Sequence, residues 1–106
     1  MARRASKVDR NQAEIVLALR KVGASVHPLH AVGFGCPDLL VGYRGLNLLM
    51  EVKDGLLPPS ARRLTPDQIG FHNVWRGQVA VVRSVDEAIS ALSGAVVEIP
   101  LRGTVS

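Results

Sequence analysis

Three charged residues stand where an apolar hairpin should exclude them. Asp38, Glu51 and Lys53 border two hydrophobic runs, Leu39-Leu40-Val41 and Leu46-Asn47-Leu48-Leu49-Met50. Strand interiors are depleted in Asp, Glu and Lys, so three of them here ask for a reason. Arg44-Gly45 lies between the runs, where a hairpin needs residues that tolerate positive φ. The two strands then read as Asp38 to Val41 and Leu46 to Lys53. A loop at Arg44-Gly45 pairs Tyr43 with Leu46, Val41 with Leu48, Leu39 with Met50 and Asp38 with Glu51. A three-residue loop or a bulge would shift that register. Side chains alternate along a strand, so Glu51 and Lys53 share a face, with Asp38 across from Glu51. Carboxylates so opposed repel, with Cβ atoms about 4.5–5.5 Å apart. A hard divalent cation, bound about 2.0–2.1 Å from each oxygen, fits between them and turns repulsion into coordination. The bland alternative is a frayed, solvated strand end.

Pro37-Asp38, followed by Glu51-Val52-Lys53, resembles the PD-(D/E)xK nuclease motif. The fuller string Gly35-Cys36-Pro37-Asp38-Leu39-Leu40-Val41, then Glu51-Val52-Lys53, then Leu64-Thr65-Pro66-Asp67-Gln68 and Trp75, is similar to the VRR-NUC branch of that superfamily. That branch includes small stand-alone phage-type nucleases related in fold to Holliday junction resolvases. The resemblance implies an α/β fold with a restriction-endonuclease-like core. It implies that a Glu on the first helix joins Asp38 and Glu51 in holding Mg²⁺, with Mn²⁺ as a substitute, and Glu14 occupies that place. The backbone carbonyl of Val52 would complete the shell. Lys53 would position the attacking water or offset charge, and Gln68 would point toward the scissile phosphate.

Composition sets the frame. A chain of 106 residues, 47% hydrophobic, suits a single domain over residues 1–106 with a small core. Its one cysteine allows no internal disulfide and fits a reducing cytoplasm. Cys36, next to Pro37-Asp38, reads as a small half-buried residue rather than a nucleophile. The net charge of +4 suits a polyanionic partner, although charge alone also fits a merely basic protein. The N-terminus has charge without an apolar segment, which is no secretory signal. No apolar run is long enough to span a membrane.

The elements that must position these residues follow in order. Residues 1–8 read as a loose basic arm carrying Arg3, Arg4 and Lys7, with Arg10 just beyond. Asp9 and Gln12 predict a capping box opening the first helix, Val8, Ile15, Leu19 and Val22 its buried stripe, and Gly23 its end. Ala24 to Ala31 predicts the first strand; His27 and His30, three apart, point to opposite faces and cannot share a zinc ion. Val32 to Gly35 turns into the hairpin. Residues 54–64, rich in Gly, Pro and Ser, predict a mobile loop that presents Arg62 and Arg63 to phosphates. Thr65-Pro66-Asp67-Gln68 predicts a capped second helix, a full account of Gln68 in itself, with Trp75 packed on the sheet and Gly77 as its end. Gln78 to Arg83 predicts a strand, and Ser84 with Glu87 caps a last helix that turns Ala88, Ile89 and Leu92 inward and closes at Gly94. Val96 to Leu101 reads as a short strand or a tail packed on a neighbour. The order α-β-β-β-α-β-α gives a mixed β-sheet flanked by helices.

The expectation is therefore a metal-dependent DNA endonuclease, a homodimer acting on branched DNA such as four-way junctions. The alternatives are a flap-, nick- or restriction-type nuclease, or a DNA-binding module without catalysis.

Overall fold

The central hairpin turns at Arg44-Gly45. Arg44 and Gly45 both take positive φ, 51° and 83°, the type of loop whose twist matches its strands. In the computed structural model, which describes residues 8–94, β2 (Leu39–Tyr43) and β3 (Leu46–Val52) pair antiparallel around this loop. The register is the expected one: Tyr43 with Leu46, Val41 with Leu48, Leu39 with Met50. Arg3, Arg4, Lys7 and the 96–101 tail lie outside the described residues.

The sheet is mixed and four-stranded, in the order β1-β2-β3-β4. β1 (Ser25–Pro28) is antiparallel to β2, and β4 (Val79–Val82) is parallel to β3. A parallel neighbour requires a crossover. Here it contains a 3-10 segment, Pro59–Arg62, within the predicted loop, and then helix α2 (Pro66–Val74). Helix α1 (Gln12–Lys21) precedes the sheet and helix α3, residues 85–94, follows it. The element order is the expected α-β-β-β-α-β-α.

Leu39, Val41, Leu48, Met50, Val52 and Val82 form one core with Ile15 and Leu19 of α1 and Ala88 and Leu92 of α3. By strand alternation Leu40, Leu49, Glu51 and Val81 lie on the opposite face, where Leu40 and Val81 are partly exposed.

Several boundaries differ from the sequence expectation, each for a tertiary reason. The N-cap of α1 is Asn11 rather than Asp9, and it makes no side-chain cap. Its amide nitrogen is committed to the carbonyls of Lys53 (3.1 Å) and Arg83 (3.3 Å), which pins the helix start to the ends of β3 and β4. Val8 and Val22 flank the helix and are substantially exposed; the buried stripe is Gln12, Ile15 and Leu19. β1 is shorter than predicted because the Leu29 N–H donates to the Asp38 carbonyl at 2.7 Å and the chain then turns. His27 remains on β1, and His30 lies in that turn. α2 ends at Val74, before Gly77, and buries none of its residues. Trp75 does not pack into the core: it stacks on Phe71, centroids 5.1 Å apart, and stays half exposed. At α3 the Ser84 hydroxyl accepts from the Glu87 N–H as expected, while the Glu87 carboxylate accepts from Arg83 N–H rather than Ser84.

Candidate active site

Strand β2 begins at Leu39, one residue after Asp38, whereas β3 runs on to Val52. Asp38 fills the missing ladder position with its side chain: its carboxylate accepts from the Val52 N–H at 2.8 Å in a buried bond. The two strands therefore part at Asp38, and the carboxylates of Asp38 and Glu51 meet at that end of the sheet. Asp38 is 4% exposed and Glu51 only 1%. Burial first, then the charge of Asp38 and a hydrogen bond with it, push the Glu51 carboxyl up to about 9, while Lys53 pulls the other way. Burial and the neighbouring Asp38 charge therefore keep Glu51 from ionising cheaply at neutral pH.

Glu51 carries two different oxygens. Oε2 accepts from Gln68 Nε2 at 3.0 Å and lies 3.8 Å from Lys53 Nζ. Oε1 is buried with no hydrogen-bond partner. A buried acceptor left bare costs about 1–3 kcal/mol, so such an atom points to a missing ligand.

Gln68 serves the fold and the site at once. The Thr65 hydroxyl accepts from the Gln68 N–H (3.2 Å), and Gln68 Oε1 accepts from the Thr65 N–H (2.9 Å), a complete capping box. The same Oε1 accepts from Lys53 Nζ at 2.8 Å. Because the cap fixes the amide oxygen, the amide nitrogen must face Glu51. Capping and site geometry are one arrangement, not competing explanations.

Gly35 sets the distance between α2 and Asp38. It has φ +77°, and a Cβ there would collide with the Asp67 carbonyl and come within 2.9 Å of Gln68 N. Beyond turning the chain into the hairpin, Gly35 thus admits a close approach of the start of α2. Cys36 is raised in pKa, by burial first and then by Glu51 and Asp38, so it is a protonated thiol and no nucleophile. His72 is lowered by burial and by Lys53, which keeps its imidazole neutral.

The remaining predicted residues lie elsewhere. Glu14 is exposed on α1 and lines a groove with Arg10, Asn11, Asp54, Leu56 and Arg83. It is not brought to the carboxylate pair, and no group of three His, Cys, Asp or Glu side chains arranged to hold a metal ion forms among the described residues. The local reason is rotation: Gln12, not Glu14, shares the buried stripe of Ile15 and Leu19. Arg10 donates from Nε to Asp54 at 2.8 Å, and the ion pair holds the Asp54 carboxyl below the usual range. Asp54 is 2% exposed and also accepts from Leu56 N–H at 3.0 Å, turning the chain out of β3. The signal for it was present in Asp54-Gly55, a turn dipeptide. Arg62 and Arg63 line a second groove with Pro59, Val81 and Arg83. Val81 is in register with Glu51, so this basic groove begins one strand away from the carboxylates on the same sheet face. Arg83 was not anticipated, since its lone position after a strand carries no pattern.

No family model matches the sequence, and no curated protein matches it. A solved structure described as a VRR_NUC domain is similar to it, with 30% sequence identity and a TM-score of 0.59, over 79% of this chain and 91% of that one. The neighbouring carboxylates of Asp38 and Glu51, the adjoining Lys53 and the mixed sheet that presents them agree with this likeness, and the chain belongs to the VRR-NUC family of nuclease domains.

Proposed function

We propose that this chain is a metal-dependent DNA endonuclease that hydrolyses phosphodiester bonds at the Asp38–Glu51 end of the sheet. The observation that carries the reading is a buried, mutually repelling carboxylate pair with one bare oxygen, Glu51 Oε1, and a lysine and an amide bonded alongside. Such a hard oxygen set fits Mg²⁺ or Mn²⁺. Asp38, Glu51 and the carbonyl of Val52 would hold the ion. When bound, it supplies charge for the pentacovalent transition state and a water of lowered pKa. Glu51, raised by burial and by Asp38, would give up its proton on loading. Lys53, 9% exposed, would stand beside the reacting phosphate, and Gln68 holds Lys53 and Glu51 in fixed relation.

DNA would lie across the face that carries Glu51, its backbone phosphates in the groove of Arg62, Arg63 and Arg83. Arg10 is tied to Asp54 through Nε, yet most of its side chain is exposed and available to a phosphate. Kinship with resolvase-like members supports branched DNA as substrate. A two-fold homodimer would set two sites on a two-fold junction. The apolar side chains left exposed on the open sheet face and α2, Leu40, Ile69, Val74 and Trp75, support such a partner.

The test incubates the protein with four-way and linear DNA, with and without Mg²⁺, beside Glu51→Gln. Cleavage of the junction by the wild type in Mg²⁺ alone is expected. Binding without cleavage under every condition would leave a DNA-binding module and overturn the enzyme. Light scattering that shows a clean monomer at micromolar concentration would remove the paired incisions.

A further inference from the structure

We infer that the side-chain oxygen of Gln12 is the third protein side-chain donor to the ion that Asp38 and Glu51 would hold, in the role that the family resemblance implies for Glu14. The inference rests on the metal-dependent reading and concerns which residue of α1 takes part. Gln12 is 6% exposed, in the same stripe as the fully buried Ile15 and Leu19. A glutamine has little reason to occupy such a position, because an apolar residue there would join the core without desolvating an amide. Its Oε1 is buried and has no hydrogen-bond partner, as is true of Glu51 Oε1. Gln12 and Glu51 belong to elements that meet at this end of the sheet. The start of α1 is docked there, through Asn11, on the carbonyl of Lys53, two residues from Glu51. Asp9, whose carbonyl accepts from the Gln12 N–H, is close enough for its charge to act on Glu51.

Amide oxygens are ordinary ligands for hard cations. A donor of this type accounts for the absence of a three-membered acidic or histidine cluster among the described residues. Asn11 Oδ1 is also without a partner, but Asn11 spends its amide nitrogen on two carbonyls and lines the groove shared with Glu14 and Asp54. Glu14 itself is exposed in that groove.

Mn²⁺ binding to the DNA-free protein, followed by calorimetry and by the signal of free Mn²⁺ in electron paramagnetic resonance, separates the possibilities without any activity readout. Gln12→Ala should weaken binding about tenfold or more, by comparison with the 10–100-fold losses seen even for outer-shell partners. Gln12→Glu, which keeps the size and adds charge, should tighten it, and Glu14→Gln should leave it unchanged. The Gln12→Glu arm decides the matter if Gln12→Ala fails to fold: affinity equal to or weaker than wild type overturns the inference. Loss of binding in Glu14→Gln with none in Gln12→Ala also overturns it and restores Glu14. If Glu51→Gln abolishes binding while both Gln12 variants bind as wild type, the metal centre stands and Gln12 has no part in it. If the wild type binds no Mn²⁺, or Glu51→Gln binds it normally, the metal-dependent reading fails as well.

Discussion

Replacing Asp38 by Asn should make the metal-free protein more stable, not less. In that state the Glu51 carboxyl is raised from 4.5 to about 9. A carboxyl of ordinary acidity that is kept protonated at pH 7 withholds about 3 kcal/mol from folding. Burial is the larger cause and Asp38 the second, so only a minority of that cost comes back when Asp38 loses its charge. About 1 kcal/mol is a consistent figure, at the upper end of cross-strand pair energies. The substitution loses little in exchange. The Asn oxygen can accept from the Val52 N–H, as Asp38 does now at 2.8 Å, and its amide nitrogen can donate to Glu51. For a domain of this size, about 1 kcal/mol raises Tm by about 4–8 °C. Mg²⁺ should narrow or reverse the order, because saturation at 100 times Kd adds about 2.7 kcal/mol to a protein that binds it. The assay is four melting curves, each protein in EDTA and in Mg²⁺, with one cleavage reaction and one DNA-binding titration; cleavage should vanish and binding persist. A mutant clearly less stable in EDTA, with equal metal shifts in both proteins, would show Asp38 to be purely structural and refute the paired-carboxylate site.

Further outcomes follow from the same geometry. Because the folded pKa of Glu51 lies above its unfolded one, its contribution to stability is present below about pH 4.5 and drains away up to about 9. Metal-free stability should therefore fall between pH 5 and 8 by up to about 1.4 kcal/mol per pH unit, and Glu51→Gln should flatten the slope in urea melts. Gly35→Ala, strained at φ +77° and colliding with Asp67, should cost more than about 1 kcal/mol and depress cleavage well beyond its effect on DNA binding; unchanged melting would mean that α2 is not held there. Arg62→Ala with Arg63→Ala should reduce the salt dependence of DNA affinity by up to about two in slope, and adding Arg83→Ala by about one more; identical slopes in binding isotherms would take DNA out of that groove.

What could be read from the sequence was what short-range rules decide. The register of β2 and β3, from Tyr43 with Leu46 to Leu39 with Met50, follows from Arg44-Gly45 and alternation alone; Asp38 lies one residue beyond the ladder and meets Glu51 through its side chain. The cap of α2 follows from Thr65-Pro66-Asp67-Gln68. The errors lie where distant contacts outbid local preference. Asp9 looks like an N-cap, but Asn11 starts α1 because β3 and β4 offer it two carbonyls, 42 and 72 residues away in sequence. Glu14 is exposed on α1 while Gln12 takes the buried stripe; which of the two turns inward follows from how α1 is rolled on the sheet, which no local pattern fixes. The Arg10–Asp54 pair joins segments 44 residues apart and was equally invisible.

Gln68 shows why such a site can be accurate in a small protein. Its Oε1 is held by the Thr65 N–H, so the residue is already immobilised by the folding of α2 before Lys53 and Glu51 are considered. Gly35, in contact with the first turn of the same helix, ties that immobilised amide to the turn that leads into Asp38. Asp38 in turn holds the Val52 N–H, between Glu51 and Lys53. Helix, turn and hairpin thus close a ring in which each functional side chain also satisfies a backbone or side-chain group of another element. The one bare member of that ring is Glu51 Oε1. On the metal-dependent reading proposed above, a cation would complete that buried oxygen, and the cost of leaving it bare in the metal-free state would be the source of the affinity recovered on loading.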